Sequence, residues 1–516
     1  MSPHAPESFA PTRIDPVAAS ASEIIGGPLG RYAATAAGRT ARSAWQPAAA
    51  VLVALSSLTV ALGFLQKAHC FTKGWANPDQ FWHACYSDLP VGSGLGQAMP
   101  YLAGAPHLDQ PLVTGVAMWL VGLAVPDGSV AVQQKWYFAL WAVLIAVIVM
   151  ALVVVTAASV PRAPWRAALV ALSPVLVLAG LISADLLGVL LVSVALLAWG
   201  RNKIYLAGLF MGLAISARSY PLVLLVAIGL LCVRSGRVGA WAKLAGTTLV
   251  TCLAVSVPFL VINADGLLSV YRAWWRSGPS YGSLWLVSGL LGHGLENKVT
   301  MLVLLGWLAA LFVGALFAFS LDRRPTVAEV SLVMLVIVVV TGKATPVQAG
   351  LWLVPLIALV GLKWRDYLLW AGVEATYFIA VWLYIAGISK PDRGLPKGLF
   401  ITATLLRAAA WVFVLVQVWR SAAARPPAVS REPENQVSAE PASENEESEG
   451  PVSEGRVSGE PVSEEQETGD LDPGALVSEG QVSDEPTSDE LWQDEESDSL
   501  AGPMAGAPDM VIVRVS

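Results

Sequence analysis

An apolar run from about Ala48 to Leu65 opens a nearly unbroken series of such runs that lasts to Arg420. The later ones begin near Trp136, Ala167, Leu186, Ile204, Pro221, Ala240, Val299, Val327, Gly350, Tyr367 and Leu399, making twelve with the first. A stretch of roughly 20 apolar residues crosses the hydrocarbon core of a bilayer, where a helix satisfies its own backbone. The expected fold is therefore an all-α polytopic membrane protein of about 12 transmembrane helices, with the lipid bilayer as its first partner. Composition agrees, since 55% of the 516 residues are hydrophobic and 14% are charged, too apolar for a soluble domain. Nucleic acid is not an expected partner.

Charge divides the chain. From Ser421 onward 24 acids face four bases, a net −20, whereas residues 1–420 carry +13. A segment so acidic and so poor in apolar residues cannot bury enough surface to fold. Residues 421–516 are thus expected to be a disordered, cytoplasmic, acidic tail with a loose Val-Ser-Glu repeat, either purely solubilising or a docking segment for a cytoplasmic partner. Residues 1–44, rich in Ala, Pro and Ser, read as a disordered cytoplasmic lead with no signal peptide. Residues 45–420 form the membrane domain. Its short loops with Arg162/Arg166, Arg201/Lys203, Arg234/Arg237, Arg323/Arg324 and Lys363/Arg365 alternate along the chain and fall on one side, which the Lys/Arg bias makes cytoplasmic. Pro111–Val125 is short for a span. A crossing there would invert the charge pattern downstream, so it reads as a re-entrant or interfacial helix, with a thirteenth span as the alternative.

The opposite, outer side then holds the unusual residues. The first outer loop, 67–135, contains Asp88 among Phe81, Trp82, Tyr86 and Leu89, a setting suited to a partly desolvated base. Cys70 and Cys85 share this loop, as a disulfide on an oxidising face or as two separate thiols. Asp109 lies in the same loop, and Asp185 sits in a tight turn between two apolar runs. Arg218, Lys343, Arg272 and Arg276 are cations on the same side, each either snorkelling to the interface or gripping a lipid-linked phosphate. Trp285 stands with other aromatics in the long outer loop, 263–298. No metal spacing such as C-x-x-C or H-E-x-x-H occurs, and the five histidines show no ligand spacing.

Several stretches together resemble a known family. Gln66-Lys67-Ala68-His69-Cys70 precedes Cys85-Tyr86-Ser87-Asp88-Leu89-Pro90. Asp109-Gln110-Pro111-Leu112-Val113-Thr114-Gly115 is similar to a Glu-Tyr-Pro-Val-Leu-Thr-Gly motif, and Ala217-Arg218-Ser219-Tyr220-Pro221 to Ala-Lys-Leu-Tyr-Pro. Ser173-Pro174-Val175-Leu176, Gly282-Ser283-Leu284-Trp285 and Gly342-Lys343-Ala344-Thr345-Pro346-Val347-Gln348 add to the likeness. The family is the polyprenol-phosphate-mannose-dependent glycosyltransferases of actinobacteria, glycosyltransferase family 87 of the GT-C superfamily. The resemblance implies a GT-C-like fold with interfacial helices in the first outer loop, and no cofactor. It implies transfer of a sugar, mannose foremost, from a polyprenyl-phosphate donor to a glycolipid or glycan acceptor on the outer face, with inversion. Asp88 would be the general base, and Arg218, Lys343 and Arg272 would bind the donor phosphate. Asp109, Asp185, Trp285 and Gln348 would contact substrate, and Cys85 would pair with Cys70. The chain departs from the family at Ser183-Ala184-Asp185, where Asn-Trp-Asp is usual, at Arg218, where Lys is usual, and after Pro90, which lacks a Leu-Tyr pair. Competing readings are a lipid transporter or flippase, and a non-catalytic envelope-assembly scaffold. The former predicts internal repeats and mid-span charges; the latter draws on the acidic tail.

Overall fold

The computed structural model describes Val17 and residues 45–102, 108–295, 298–424 and 498–510. The expected disordered lead and most of the acidic tail lie outside them. Among the described residues the fold is entirely helical. In chain order, α1 is Trp45–Lys73, α2 the single turn Asp79–Trp82 and α3 Leu112–Gly122. Then follow α4 Val130–Ser159, α5 Ala168–Ala171, α6 Pro174–Ala179, α7 Asp185–Gly200, α8 Ile204–Ala217 and α9 Pro221–Arg234. The chain continues through α10 Val238–Arg276, α11 Leu284–Leu290, α12 Val299–Ser320, α13 Val327–Val340, α14 Gly350–Val360, α15 Trp364–Ser389 and α16 Lys397–Ala424.

Each apolar run coincides with helix, the one near Ala167 split between α5 and α6, but the runs are not equivalent. Six helices are long and apolar enough to cross a membrane: α1, α4, α10, α12, α15 and α16. The others are shorter, and two of them are almost wholly enclosed. Nearly all of α13 and of α14 is buried, as suits helices that are apolar on nearly every face. The long α10 instead exposes Leu249, Val250, Leu253, Val257 and Val261, an apolar outer surface matched to lipid. Close packing comes from small residues. Gly208 and Gly212, one turn apart on α8, meet Thr247 and Thr251 of α10, where an added Cβ would come within 2.6 Å of either threonine Cβ. Spacing of this kind lets two backbones approach.

Hydrogen bonds sort the helix termini into two ends of the bundle. At one end Arg234 Nη1 donates to the Ala318 carbonyl (2.8 Å), Arg323 Nε to that of Ala422 (3.2 Å) and Ser499 Oγ to that of Ser159 (3.0 Å). At the other, Lys135 Nζ donates to the Thr72 carbonyl (3.2 Å), Thr114 Oγ1 to Ala217 (2.8 Å) and Asn263 Nδ2 to Tyr101 (3.1 Å). The basic turns at 201–203, 234–237 and 323–324 therefore share the first end. The segment Pro111–Val125 begins at the second end, through Thr114, and the chain is still there at Lys135. Its helix α3 has 11 residues, about 16 Å of rise. It enters and leaves at the same end.

Two expectations need revision. The segment 263–298, expected as a long loop, is largely helical among its described residues. The helix α10 continues through a non-helical Asn263 to Arg276, and α11 follows. The acidic tail also has an ordered part. Residues 498–510 return to the first end, where Leu500 and Met504 are buried with the core. There Asp509 is clasped by Arg234 (2.6 Å) and Arg324 (2.8 Å). Tail composition hid this because two apolar side chains and one paired carboxylate suffice to hold so short a stretch.

Candidate active site

The second end of the bundle gathers the polar residues. Ser87 fixes the arrangement: its buried Oγ donates to the carbonyls of Leu181 (2.8 Å) and Ile182 (3.2 Å) and accepts from the Leu89 amide (3.2 Å). The Asp88 amide donates to the same Ile182 carbonyl at 2.8 Å. These bonds press the loop after α1 against the turn that carries Asp185. The preceding chain is anchored by a Cys70–Cys85 disulfide with a Cα–Cα distance of 5.8 Å. Both cysteines are fully buried. The bridge closes a loop of 15 residues, for which constraint of the unfolded chain is worth about 3 kcal/mol. Replacing both cysteines with serine is expected to lower the thermal unfolding midpoint measurably in detergent. An unchanged midpoint would mean the loop is held by other contacts.

Asp88 is half-buried and accepts a 2.5 Å hydrogen bond from Tyr86 Oη. Burial pushes its carboxyl above the ordinary aspartate range, and the neighbouring Asp185 charge adds to this. The Tyr86 bond, Arg218 and Lys67 pull in the opposite direction without cancelling the rise. The same burial and the adjacent carboxylate hold the Tyr86 phenol above its ordinary value, so it stays a donor to Asp88.

Asp185 is buried and saturated. Its Oδ1 accepts from Ser183 Oγ (2.8 Å) and pairs with Arg218, and its Oδ2 accepts from Trp352 Nε1 (2.9 Å). The Trp352 ring stacks on Tyr220 at 4.9 Å between centroids. Arg218 is further fixed from both sides of the chain. The Thr114 hydroxyl holds the Ala217 carbonyl beside it, and Gly188 faces its stem, where an added Cβ would lie 3.2 Å from Arg218 Cγ. One guanidinium donor, Nε, is buried with no hydrogen-bond partner, as is Tyr220 Oη. Asp88, Asp185 and Arg218 thus form one electrostatically coupled cluster, joined by Lys67, whose Nζ donates to the Tyr86 carbonyl at 2.8 Å. Lys67, Tyr86, Tyr220 and Trp352 were not singled out from sequence as site residues. The first three lie within the quoted motifs, so proximity to Asp88 and Arg218 in sequence was the available signal.

The remaining sequence candidates sit differently. Lys343 is buried, and its three ammonium donors go to the carbonyls of Trp274 (2.8 Å), Trp275 (3.0 Å) and Ser277 (3.0 Å). It caps the end of α10, with its charge 4.7 Å from the centre of the Trp274 ring. Its whole loop is laced down. Ser283 Oγ donates to Gly342, Trp285 Nε1 to Thr341 and Arg407 to Thr345 and Pro346. Gly282 makes this possible: its φ is +80° and an added Cβ would strike the Thr345 carbonyl. Gln348 is half-buried on the 3-10 turn that follows. Arg272 is exposed and paired with Asp265 at 2.6 Å. Asp109 is exposed just before α3. The structure therefore brings Asp88, Asp185 and Arg218 together, and employs Lys343 and Trp285 in the loop that borders α10 and α11.

Residues 130–342 match the model of Glycosyltransferase family 87. The matched stretch is similar to that family and supports, in general terms, a GT-C-like membrane glycosyltransferase. It contains Asp185, Arg218, Arg272 and Trp285 and begins after Asp88. No curated protein matches the chain.

Proposed function

We propose that the protein transfers a sugar, mannose foremost, from a polyprenyl-phosphate donor to a glycolipid or glycan acceptor at the extracytoplasmic membrane face. The observation that carries this reading is the pairing, in one cluster, of a half-buried carboxylate with a raised pKa and an arginine that keeps a buried donor unpartnered. Asp88 takes the proton from the acceptor hydroxyl as that oxygen attacks the anomeric carbon. The bond to the phosphate oxygen breaks on the opposite face, and configuration inverts. Charge grows on the departing phosphate, and a fixed cation there stabilises the transition state more than the ground state. Arg218 fills this role, with Asp185 and Trp352 setting its orientation. Lys343 and Trp285 shape the wall of the donor site, and Lys343 does so through the end of α10. Arg272, Asp109 and Gln348 are assigned to contacts with the lipid headgroup or the acceptor.

The test is a purified full-length protein given a labelled polyprenyl-phospho-mannose and a lipid acceptor extract. Labelled acceptor is the expected product. Movement of the intact donor between leaflets without transfer would replace this reading with a flippase. The pH dependence gives a second check. Only the carboxylate form accepts a proton, so the rate rises as Asp88 deprotonates. Because burial raises its pKa, the acid limb is expected above the ordinary aspartate value of about 3.9. A limb at or below that value would argue that another group is the base.

A further inference from the structure

The beginning of the first outer loop holds a second cluster that the transfer reaction does not use. His69, near the end of α1, and Asp79 and His83, one turn apart around α2, point their side chains at one another. His69 Nε2 lies 2.7 Å from Asp79 Oδ2, and His83 Nδ1 lies 3.3 Å from Asp79 Oδ1 and 3.1 Å from the Asp79 carbonyl oxygen. The two imidazole rings stack with centroids 3.5 Å apart and planes 10° from parallel. One potential ligand atom from each residue falls within 4.8 Å of the other two. We propose that His69, Asp79 and His83 bind a divalent first-row transition metal, zinc foremost.

The chemistry of the donors favours this class. Two imidazoles and one carboxylate suit zinc and its neighbours, whereas calcium and magnesium prefer all-oxygen shells. Tetrahedral zinc with bonds of about 2.0–2.2 Å places its ligand atoms roughly 3.3 Å apart. The two nitrogen–carboxylate separations, 2.7 and 3.3 Å, lie at or below that distance, so small side-chain rotations complete the shell. Three protein ligands leave a fourth position for water. The backbone is already committed to the site, because the Cys70–Cys85 bridge ties the residue after His69 to the one two places beyond His83. A metal would add a second tie across the same loop, upstream of Asp88. This inference does not rest on the glycosyltransferase reading.

The test uses full-length protein purified without a histidine tag, stripped with a chelator and titrated with zinc or cobalt(II). One saturable equivalent is expected, with a cobalt spectrum in the visible and a zinc-dependent rise in the thermal unfolding midpoint. His83→Ala and His69→Ala are each expected to weaken binding at least tenfold and to abolish the midpoint rise. His83 is exposed, so its removal leaves the core intact, and retention of the disulfide by thiol counting confirms the fold. Asp79→Asn keeps the shape and tests the carboxylate. Binding that is absent in the wild type, or equal in wild type and in the His69→Ala/His83→Ala protein, would overturn the site and leave a proton-sharing His–Asp–His cluster only.

Discussion

Asp88→Asn is expected to lower sugar transfer by roughly 10²–10⁴-fold, the range that a positioned general base supplies. The substitution preserves the shape of the side chain and can still accept from Tyr86 Oη, but the amide cannot take the acceptor proton. It also removes a carboxylate that burial disfavours, so expression and the thermal midpoint should hold. The informative result is therefore a selective loss: near-normal stability, near-normal donor binding and little turnover. Transfer within a fewfold of the wild type would require a different base, and Asp185 is the wrong one on geometry. Its oxygens are taken up by Ser183, Arg218 and Trp352.

Arg407→Met is expected to cost about 3–5 kcal/mol of stability, the usual penalty for leaving one partner of a buried ion pair uncompensated. Arg407 on α16 grips Glu374 on α15 with two bonds of 2.8 and 2.9 Å, and both side chains are buried. Trp411 Nε1 donates to the same carboxylate at 2.6 Å. The guanidinium also holds the carbonyls of Thr345 (2.5 Å) and Pro346 (3.0 Å), so its loss unpins the Lys343 loop as well as stranding Glu374. Thermal unfolding in detergent measures the effect. The double change Glu374→Gln/Arg407→Met should recover a large part of it, because the stranded charge is gone. A single variant as stable as the wild type would show that Glu374 finds another cation or is neutral in the folded protein.

These two cases mark what could be read from the chain and what could not. Hydropathy located every helix long enough to cross a membrane, because membrane solvation acts on each segment separately. The Lys/Arg rhythm grouped the basic turns, and the structure puts those at 201–203, 234–237 and 323–324 at one end. Asp185 and Arg218 drew notice as charges at the edge of apolar runs, and Asp88 as a carboxylate set among aromatic residues in the first long loop. Their assembly was not legible: it depends on Ser87 reaching the Leu181 and Ile182 carbonyls across the bundle. Lys343 shows the converse problem. A lysine in a glycine-containing loop reads the same whether it faces a phosphate or caps a helix, and here its donors are spent on three carbonyls. Glu374 and Arg407 lie on different helices, so neither announces its partner. The His69, Asp79 and His83 spacing matches no common ligand motif because the disulfide and the turn at α2, not a single helix, bring them together. Length was the weakest guide. A run of apolar residues looks like a span whether it faces lipid, as α10 does, or is enclosed by other helices, as α14 is.

The returning segment 498–510 has a consequence for anyone handling the protein. It is attached by Asp509 between two arginines and by the burial of Leu500 and Met504, not by the covalent path that leads to it. A protease that nicks the chain between Ala424 and Asp498 would leave the last fragment seated on the bundle. Such cut molecules would co-elute with intact ones, and a handle fused at the C-terminus would recover both. Only a denaturing gel would reveal the break.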